Sequence, residues 1–215
     1  MVGNLDHNVG RLLGELRKRG LDKNTLVIFT SDNGGFFDSS CLPLRGRKGA
    51  VHEGGIRVPM IVRWPGKTRA GSTSNEQVIS MDIFPTVLAA AGLPLQPGQH
   101  SDGLNLTPVL TGKGKLPERT LFWHFPFRHR RGADGSNAGA IRQGDWKLIR
   151  YYTDGREELY DLSSDMLEKT DQSSSQTERH KAMSKKLDAF LSSVSKGSER
   201  SGKNSRTKNR KNKMH

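Results

Sequence analysis

Along the first twenty residues the apolar positions Val2, Leu5, Val9, Leu12, Leu13 and Leu16 recur at helical spacing, with Arg11, Glu15, Arg17 and Lys18 on the other side. Gly20 ends the pattern, so an amphipathic helix that needs a surface to cover is predicted. After a "LDKN" turn comes an unbroken apolar run, Leu26-Val27-Ile28-Phe29-Thr30. A run without alternation fits a strand buried on both faces of a parallel sheet. A second strand is predicted at 58–64, closed by Pro65-Gly66, and a helix at 81–91, with Pro85 in its first turn and Gly92 as its stop. Residues 93–118 are rich in Gly and Pro and read as a long connection. Then the rhythm changes. Short strand-like runs at 121–127, 140–142, 146–152 and 158–162 are separated by "GADGSN", "QGD" and "TDGR", which suit hairpin turns. A helix at about 177–194 follows, carrying Met183, Leu187, Phe190 and Leu191 at helical spacing. Strands in succession followed by a helix predict a small antiparallel α+β unit.

Composition adds a third region to these two. Only 33% of the 215 residues are hydrophobic, which leaves part of the chain solvated. The net charge is +13, and residues 196–215 hold eight basic residues against Glu199 alone, with no aliphatic or aromatic residue apart from Met214. That stretch is expected to be a disordered basic tail, either simply solvated or in nonspecific contact with polyanions. The expected division is therefore 1–118, 119–195 and 196–215. No run of apolar residues is long enough to span a membrane, the polar N-terminus shows no export signal, and the single cysteine, Cys41, excludes an intrachain disulfide.

Candidate chemistry collects where the first strand ends, in Ser31-Asp32-Asn33-Gly34-Gly35. Loops beyond the carboxyl ends of strands are where α/β proteins hold ligands. The carboxylate of Asp32 and the amide oxygen of Asn33 are hard oxygen donors, and on its own the tripeptide reads as an ordinary turn. Lys48, between glycines in "GRKG", carries a compact ammonium and by composition reads as a solvated lysine beside Arg45 and Arg47. "EGGIRVP" reads as a tight turn into a strand, with Glu53 and Arg57 paired across it. His124 in "LFWHFP" sits among aromatic residues and reads as a core histidine between Trp123 and Phe125. His52 reads as a packing or pocket-wall residue.

Taken in order, "TLVIFTSDNGG", "PLRGRKGAVHEGGIRVP", "WPG", "MDIFPTVLAAAG", "DGLNLTPVLTG", "LFWHFP" and "WKLIRYY…EELYDL" resemble the sulfatase family of the alkaline-phosphatase-like superfamily. The likeness is to the C-terminal half of arylsulfatases and N-acetylgalactosamine-6-sulfatases, and it covers roughly residues 1–170. It implies an α/β fold: the C-terminal part of a mixed sheet flanked by helices, then the small antiparallel subdomain and the tail. It implies calcium held by Asp32 and Asn33, sulfate bound by Lys48, and His124 in the substrate pocket. The implied reaction is hydrolysis of a sulfuric ester, on an aryl or carbohydrate sulfate, with a sulfated small molecule or polysaccharide as partner. Two alternatives are a phosphoester or phosphonate hydrolase of the same superfamily, and an inactive sulfatase-derived protein that binds polyanions through the tail. Members of the family are commonly secreted, periplasmic or lysosomal.

Sulfatases take their nucleophile, a formylglycine, from a cysteine in a C-x-P-S/A-x-R signature. "CLPLR" at 41–45 imitates it, but Leu44 stands where a small residue is expected and no Thr-Gly pair follows. The family signature also lies far N-terminal to "DNG", whereas Cys41 comes nine residues after Asp32. Cys41 is therefore read as part of the lysine loop. The formylglycine is expected in a missing N-terminal part, and the chain is expected to be a fragment with an incomplete calcium site.

Overall fold

The computed structural model describes residues 2–36, 41–126 and 137–211, with side chains as far as Val194. It divides into two compact units, one of residues 1–32 and 59–117, the other of 33–58 and 118–215. The segment 33–58, expected to belong with the first part of the chain, is thus grouped with the later strands.

In the first unit, helix α1 (Val2–Lys18) ends as its glycine requires. Gly20 adopts φ +68°, and the Gly20 and Leu21 N–H groups bond back to Arg17 and Leu16. None of its residues is fully buried, and Val2, Leu5 and Leu12 are exposed. Strand β1 (Val27–Thr30) pairs with β2 (Met60–Arg63) in antiparallel register, Val27 opposite Arg63 and Thr30 opposite Met60. This corrects the expectation of a strand covered on both faces of a parallel sheet: among the described residues β1 has this one antiparallel neighbour, and Phe29 and Ile61 are exposed. The apolar run gives strand character without direction. Direction is set by the intervening segment, which leaves the unit after Asp32 and returns at Pro59, where Thr30 Oγ1 donates to the Pro59 carbonyl at 3.0 Å.

Helix α3 (Ile83–Ala90) follows a short 3₁₀ turn, with Pro85 and Gly92 placed as expected. Asp82, fully buried, explains why "MDIFPT" and "DGLNL" occur together. Its carboxylate accepts from the Ile79 and Leu104 N–H groups, both at 2.8 Å. One turn on, Thr86 donates to the Asp82 carbonyl and accepts from Leu106 N–H at 2.8 Å. The long connection is thereby tied to the start of α3 before it forms α4 (Thr107–Leu110).

The second unit is built on a four-stranded antiparallel sheet in the order β3 (Thr120–Phe125), β4 (Ala138–Gln143), β5 (Trp146–Tyr151), β6 (Glu157–Asp161). The expected runs are all strands. Gly144 and Gly155 take positive φ in the two described hairpin turns, and most of the "GADGSN" turn lies outside the described residues. Side chains alternate between two covered faces. On one, Ala138, Ala140, Ile149, Tyr151, Tyr160 and Leu162 pack with Val51 from the 33–58 segment. On the other, Ile141, Leu148 and Leu159 pack with Met183 and Leu187 of α5 (Thr177–Lys211), and Phe122 stacks on Phe190 with ring centroids 4.4 Å apart. The helical backbone of α5 continues through Lys211, into the stretch expected to be a disordered tail.

Burial along α5 gives a direct test. Leu187 has no exposed surface, so Leu187→Ala is expected to lower unfolding stability by about 2–5 kcal/mol through lost burial and a residual cavity. Val194 is 39% exposed, and Val194→Ala should change stability by no more than about 0.5 kcal/mol. Urea unfolding followed by circular dichroism measures both.

Candidate functional site

Within the second unit, glycines let the segment that follows Asp32 pack on the lysine loop. Gly34 N–H donates to the Gly55 carbonyl at 2.9 Å, and Lys48 N–H donates to the Gly35 carbonyl at 3.0 Å. A Cβ on Gly34 would lie 1.8 Å from the Gly54 carbonyl oxygen, and one on Gly55 would lie 2.1 Å from that of Ala50. Neither position has room for a side chain, so backbone packs directly on backbone. The "GG" at 34–35, "GRKG" and "EGG" stretches are one packed structure, in which the Lys48 amide is held while the residue as a whole stays exposed. Asp32, at the end of the first unit, is exposed, and Asn33 opens the second unit half-buried. Cys41 directs its Sγ to the Gly35 carbonyl at 3.6 Å.

The lysine loop continues into the one-turn helix α2 (Glu53–Ile56), where the sequence had suggested a tight turn. Glu53 is almost completely buried. Its Oε1 faces the Lys147 ammonium of β5 at 2.9 Å, and that ammonium also meets Glu168 Oε1 at 2.8 Å. Glu168 Oε2 in turn accepts from the Glu53 backbone N–H at 2.8 Å. Arg57, the expected partner, reaches Glu53 Oε2 at 3.4 Å, and Arg142 approaches the same oxygen at 3.6 Å. Burial raises the Glu53 pKa, but the charges of Lys147, Arg142 and Arg57 outweigh it and the net shift is downward. For Glu168 burial prevails over Lys147, and the shift is upward. Lys147 could have been found in the sequence: in an alternating strand it shares the parity of Ile149 and Tyr151, on the covered face. Glu168, in the turn after β6, carried no such signal.

A second polar cluster surrounds Glu158. Tyr160 and Tyr151 donate to Glu158 Oε2 at 2.6 and 2.7 Å, Arg45 reaches the same oxygen at 3.1 Å, and Arg156 contacts Oε1. Arg45 also donates to the Tyr160 hydroxyl and to the Glu168 carbonyl, so it ties the lysine loop to the sheet. His52, fully buried, meets the Tyr151 hydroxyl through Nε2 at 3.1 Å, which makes it a packing residue. Burial acts to raise the Glu158 pKa, yet the two phenol hydrogen bonds and the charges of Arg45 and Arg156 bring it down to about 2. Tyr151 and Tyr160 are pushed up, first by burial and then by the carboxylate they bond.

The structure brings Gly35 onto the Lys48 N–H and places His124 elsewhere. His124 is exposed on the outermost strand β3, with Nδ1 2.7 Å from the Tyr152 hydroxyl, so it is not a core histidine. By strand alternation it shares the face of Phe122, which packs with α5, and not the face covered by the lysine loop. Asp32 and Asn33 are suitable as two oxygen donors of a larger set. Among the described residues no group of three or more His, Cys, Asp or Glu side chains gathers around them.

A family model described as "Sulfatase" matches residues 1–93. A sulfatase of Formosa agariphila is 36% identical over 191 residues, covering 77% of this chain and 33% of that protein. Arylsulfatase A of Homo sapiens is 39% identical over 158 residues, covering 70% of this chain and 29% of its own length. Among solved structures, Ps i-CgsB in complex with k-i-k-neocarrahexaose superposes with a TM-score of 0.77 at 32% identity, over 88% of this chain and 41% of that one. The chain thus spans about a third of the length of the curated relatives it matches.

Two substitutions test the polar clusters. Lys147→Met leaves two buried carboxylates without their cation and is expected to cost about 3–5 kcal/mol in urea unfolding. For Glu158 the folded pKa, about 2, lies below its ordinary value of 4.5. Its stabilisation, about 3 kcal/mol, is therefore complete above the ordinary pKa and disappears as pH falls toward 2. Glu158→Gln should flatten the stability profile in that acid window, as read by unfolding at a series of pH values.

Proposed function

From the chain's membership of the sulfatase family we propose that it serves hydrolysis of sulfuric esters, on aryl or carbohydrate sulfates. The observation that carries this is Lys48: its backbone N–H is held by the Gly35 carbonyl while the residue remains exposed. An ammonium carried on a backbone anchored in this way binds the sulfate and offsets the negative charge that grows on the leaving oxygen. Asp32 and Asn33 supply two oxygens toward a calcium ion, whose chemistry when bound is to hold and polarise a sulfate oxygen. His124, exposed on β3 and off the face covered by the lysine loop, meets a part of the substrate distant from the sulfate. The formylglycine nucleophile belongs to the portion of the relatives that these residues do not span, and Cys41 is a lysine-loop residue bonded toward Gly35.

Binding of inorganic sulfate to this chain, set beside turnover of 4-nitrophenyl sulfate by the protein joined to a formylglycine-bearing part, tests the reading. Lys48→Ala is expected to weaken sulfate binding about tenfold or more and to lower kcat/KM about a hundredfold, the scale of losing one charge-stabilising donor. Equal sulfate affinity in variant and wild type would reject the role of Lys48. Absence of both binding and turnover in the wild type would reject the hydrolase reading.

A further inference from the structure

His124 and Tyr152 are held together more closely than an exposed histidine requires. The register of β3 and β4 sets His124 opposite Gly139. Tyr152, one residue beyond β5, is anchored by its N–H to the Asn137 carbonyl at 3.0 Å. The Tyr152 hydroxyl then lies 2.7 Å from His124 Nδ1, with the rings edge to face at 66° and centroids 5.5 Å apart. The room for this hydroxyl comes from Gly139. A Cβ there would stand 2.3 Å from the Tyr152 hydroxyl oxygen and 3.1 Å from the ring carbon that bears it. Any other residue at position 139 would displace the phenol.

A hydrogen bond at one imidazole nitrogen determines which nitrogen of the neutral ring carries the proton. Burial pushes the Tyr152 phenol up to about 12, so its proton stays in place and is available to donate. With Nδ1 accepting, the ring proton is on Nε2, the nitrogen on the far side of the exposed ring.

We propose that Tyr152 is a positioning residue for His124: seated in the notch left by Gly139, its hydroxyl donates to Nδ1, holds the imidazole as the Nε2–H tautomer, and so aims one donor at an acceptor oxygen of a sulfated sugar. The sugar as ligand rests on the functional reading above; the tautomer rests on the Tyr152–His124 contact with the phenol as donor.

The test is long-range proton–nitrogen NMR of the histidine side chains in the full 215-residue chain at about pH 8, where neutral imidazole is the ordinary form. The His124 signals are identified by their loss in His124→Gln. Wild type is expected to show an unprotonated Nδ1 and a protonated Nε2. Tyr152→Phe, which keeps the ring and removes the hydroxyl, should move both nitrogens toward the averaged values of a mixed tautomer. Gly139→Ala should do the same by displacing the phenol. A protonated Nδ1 or a mixed tautomer in the wild type overturns the proposal without any variant being needed, and so do unchanged nitrogens in Tyr152→Phe. Addition of N-acetylgalactosamine 6-sulfate, with the unsulfated sugar as control, separates the two ideas. A shift of the Nε2–H signal with the sulfated sugar alone supports the ligand. A fixed tautomer with no such shift overturns the ligand reading of His124 and leaves the role of Tyr152 standing.

Discussion

A lysine ammonium without solvent contact must be compensated where it stands, and the second unit is arranged around that requirement at Lys147. Its two carboxylates come from segments far apart in the chain, Glu53 from α2 and Glu168 from the turn after β6. Glu168 is bidentate in effect, with one oxygen on the ammonium and the other on the Glu53 backbone N–H. Moving either segment therefore breaks two bonds and leaves buried charge behind. Such a cluster adds little net stability over an apolar core, because desolvation takes back most of the attraction. What it provides is discrimination: no other seating of the lysine loop on the sheet satisfies three buried charges together.

Glu53 is five residues after Lys48, and the glycine contacts secure the other end of the same loop. The two constraints differ in kind. The charged cluster is specific because of pairing. The contacts of Gly34 and Gly55 are specific because of sterics, with carbonyl oxygens filling the volume of the missing Cβ atoms. Between them the loop has little freedom except in its side chains. A residue that must meet an anion in one position gains from this arrangement, since the ordering cost has been met in folding and not at binding.

How much of this could be read beforehand follows the range of each interaction. Periodicity depends on neighbours three or four residues away in a helix and two in a strand, and it located α1, α3, α5 and all four strands of the larger sheet. The direction of β1 depended on where a distant segment returns, and the run Val27-Ile28-Phe29 holds no record of it. The Glu53–Arg57 pair, one helical turn apart, was legible. The stronger Glu53–Lys147 pair was not, because nothing local joins them, although the parity of Lys147 with Ile149 and Tyr151 marked it as inward-facing. The candidate-site residues were named from ordered motifs, and their surroundings were not: the exposure of His124 and its bond to Tyr152 depend on Gly139, whose role is to have no side chain.

The two faces of the sheet divide the work. One face carries the lysine loop, and its contacts are mostly charged or phenolic: Lys147, Glu53, Glu168, Arg45, Glu158, Tyr151 and Tyr160. The other carries α5 over Ile141, Leu148 and Leu159, with Arg150 bonding Glu157, Asp188 and Ser184 at its edge. Apolar packing tolerates small shifts because dispersion and burial change gradually with distance, whereas hydrogen bonds weaken steeply once their angle fails. A disturbance in α5 must cross a hydrogen-bonded sheet before it reaches Lys48, and much of it is absorbed as stability lost. A disturbance at Lys147 or Glu168 acts on the loop directly. The geometry around Lys48 is therefore set by the glycine contacts and by the buried charges that hold Glu53, five residues on, and the apolar core on the far side serves mainly to keep the sheet in place as their support.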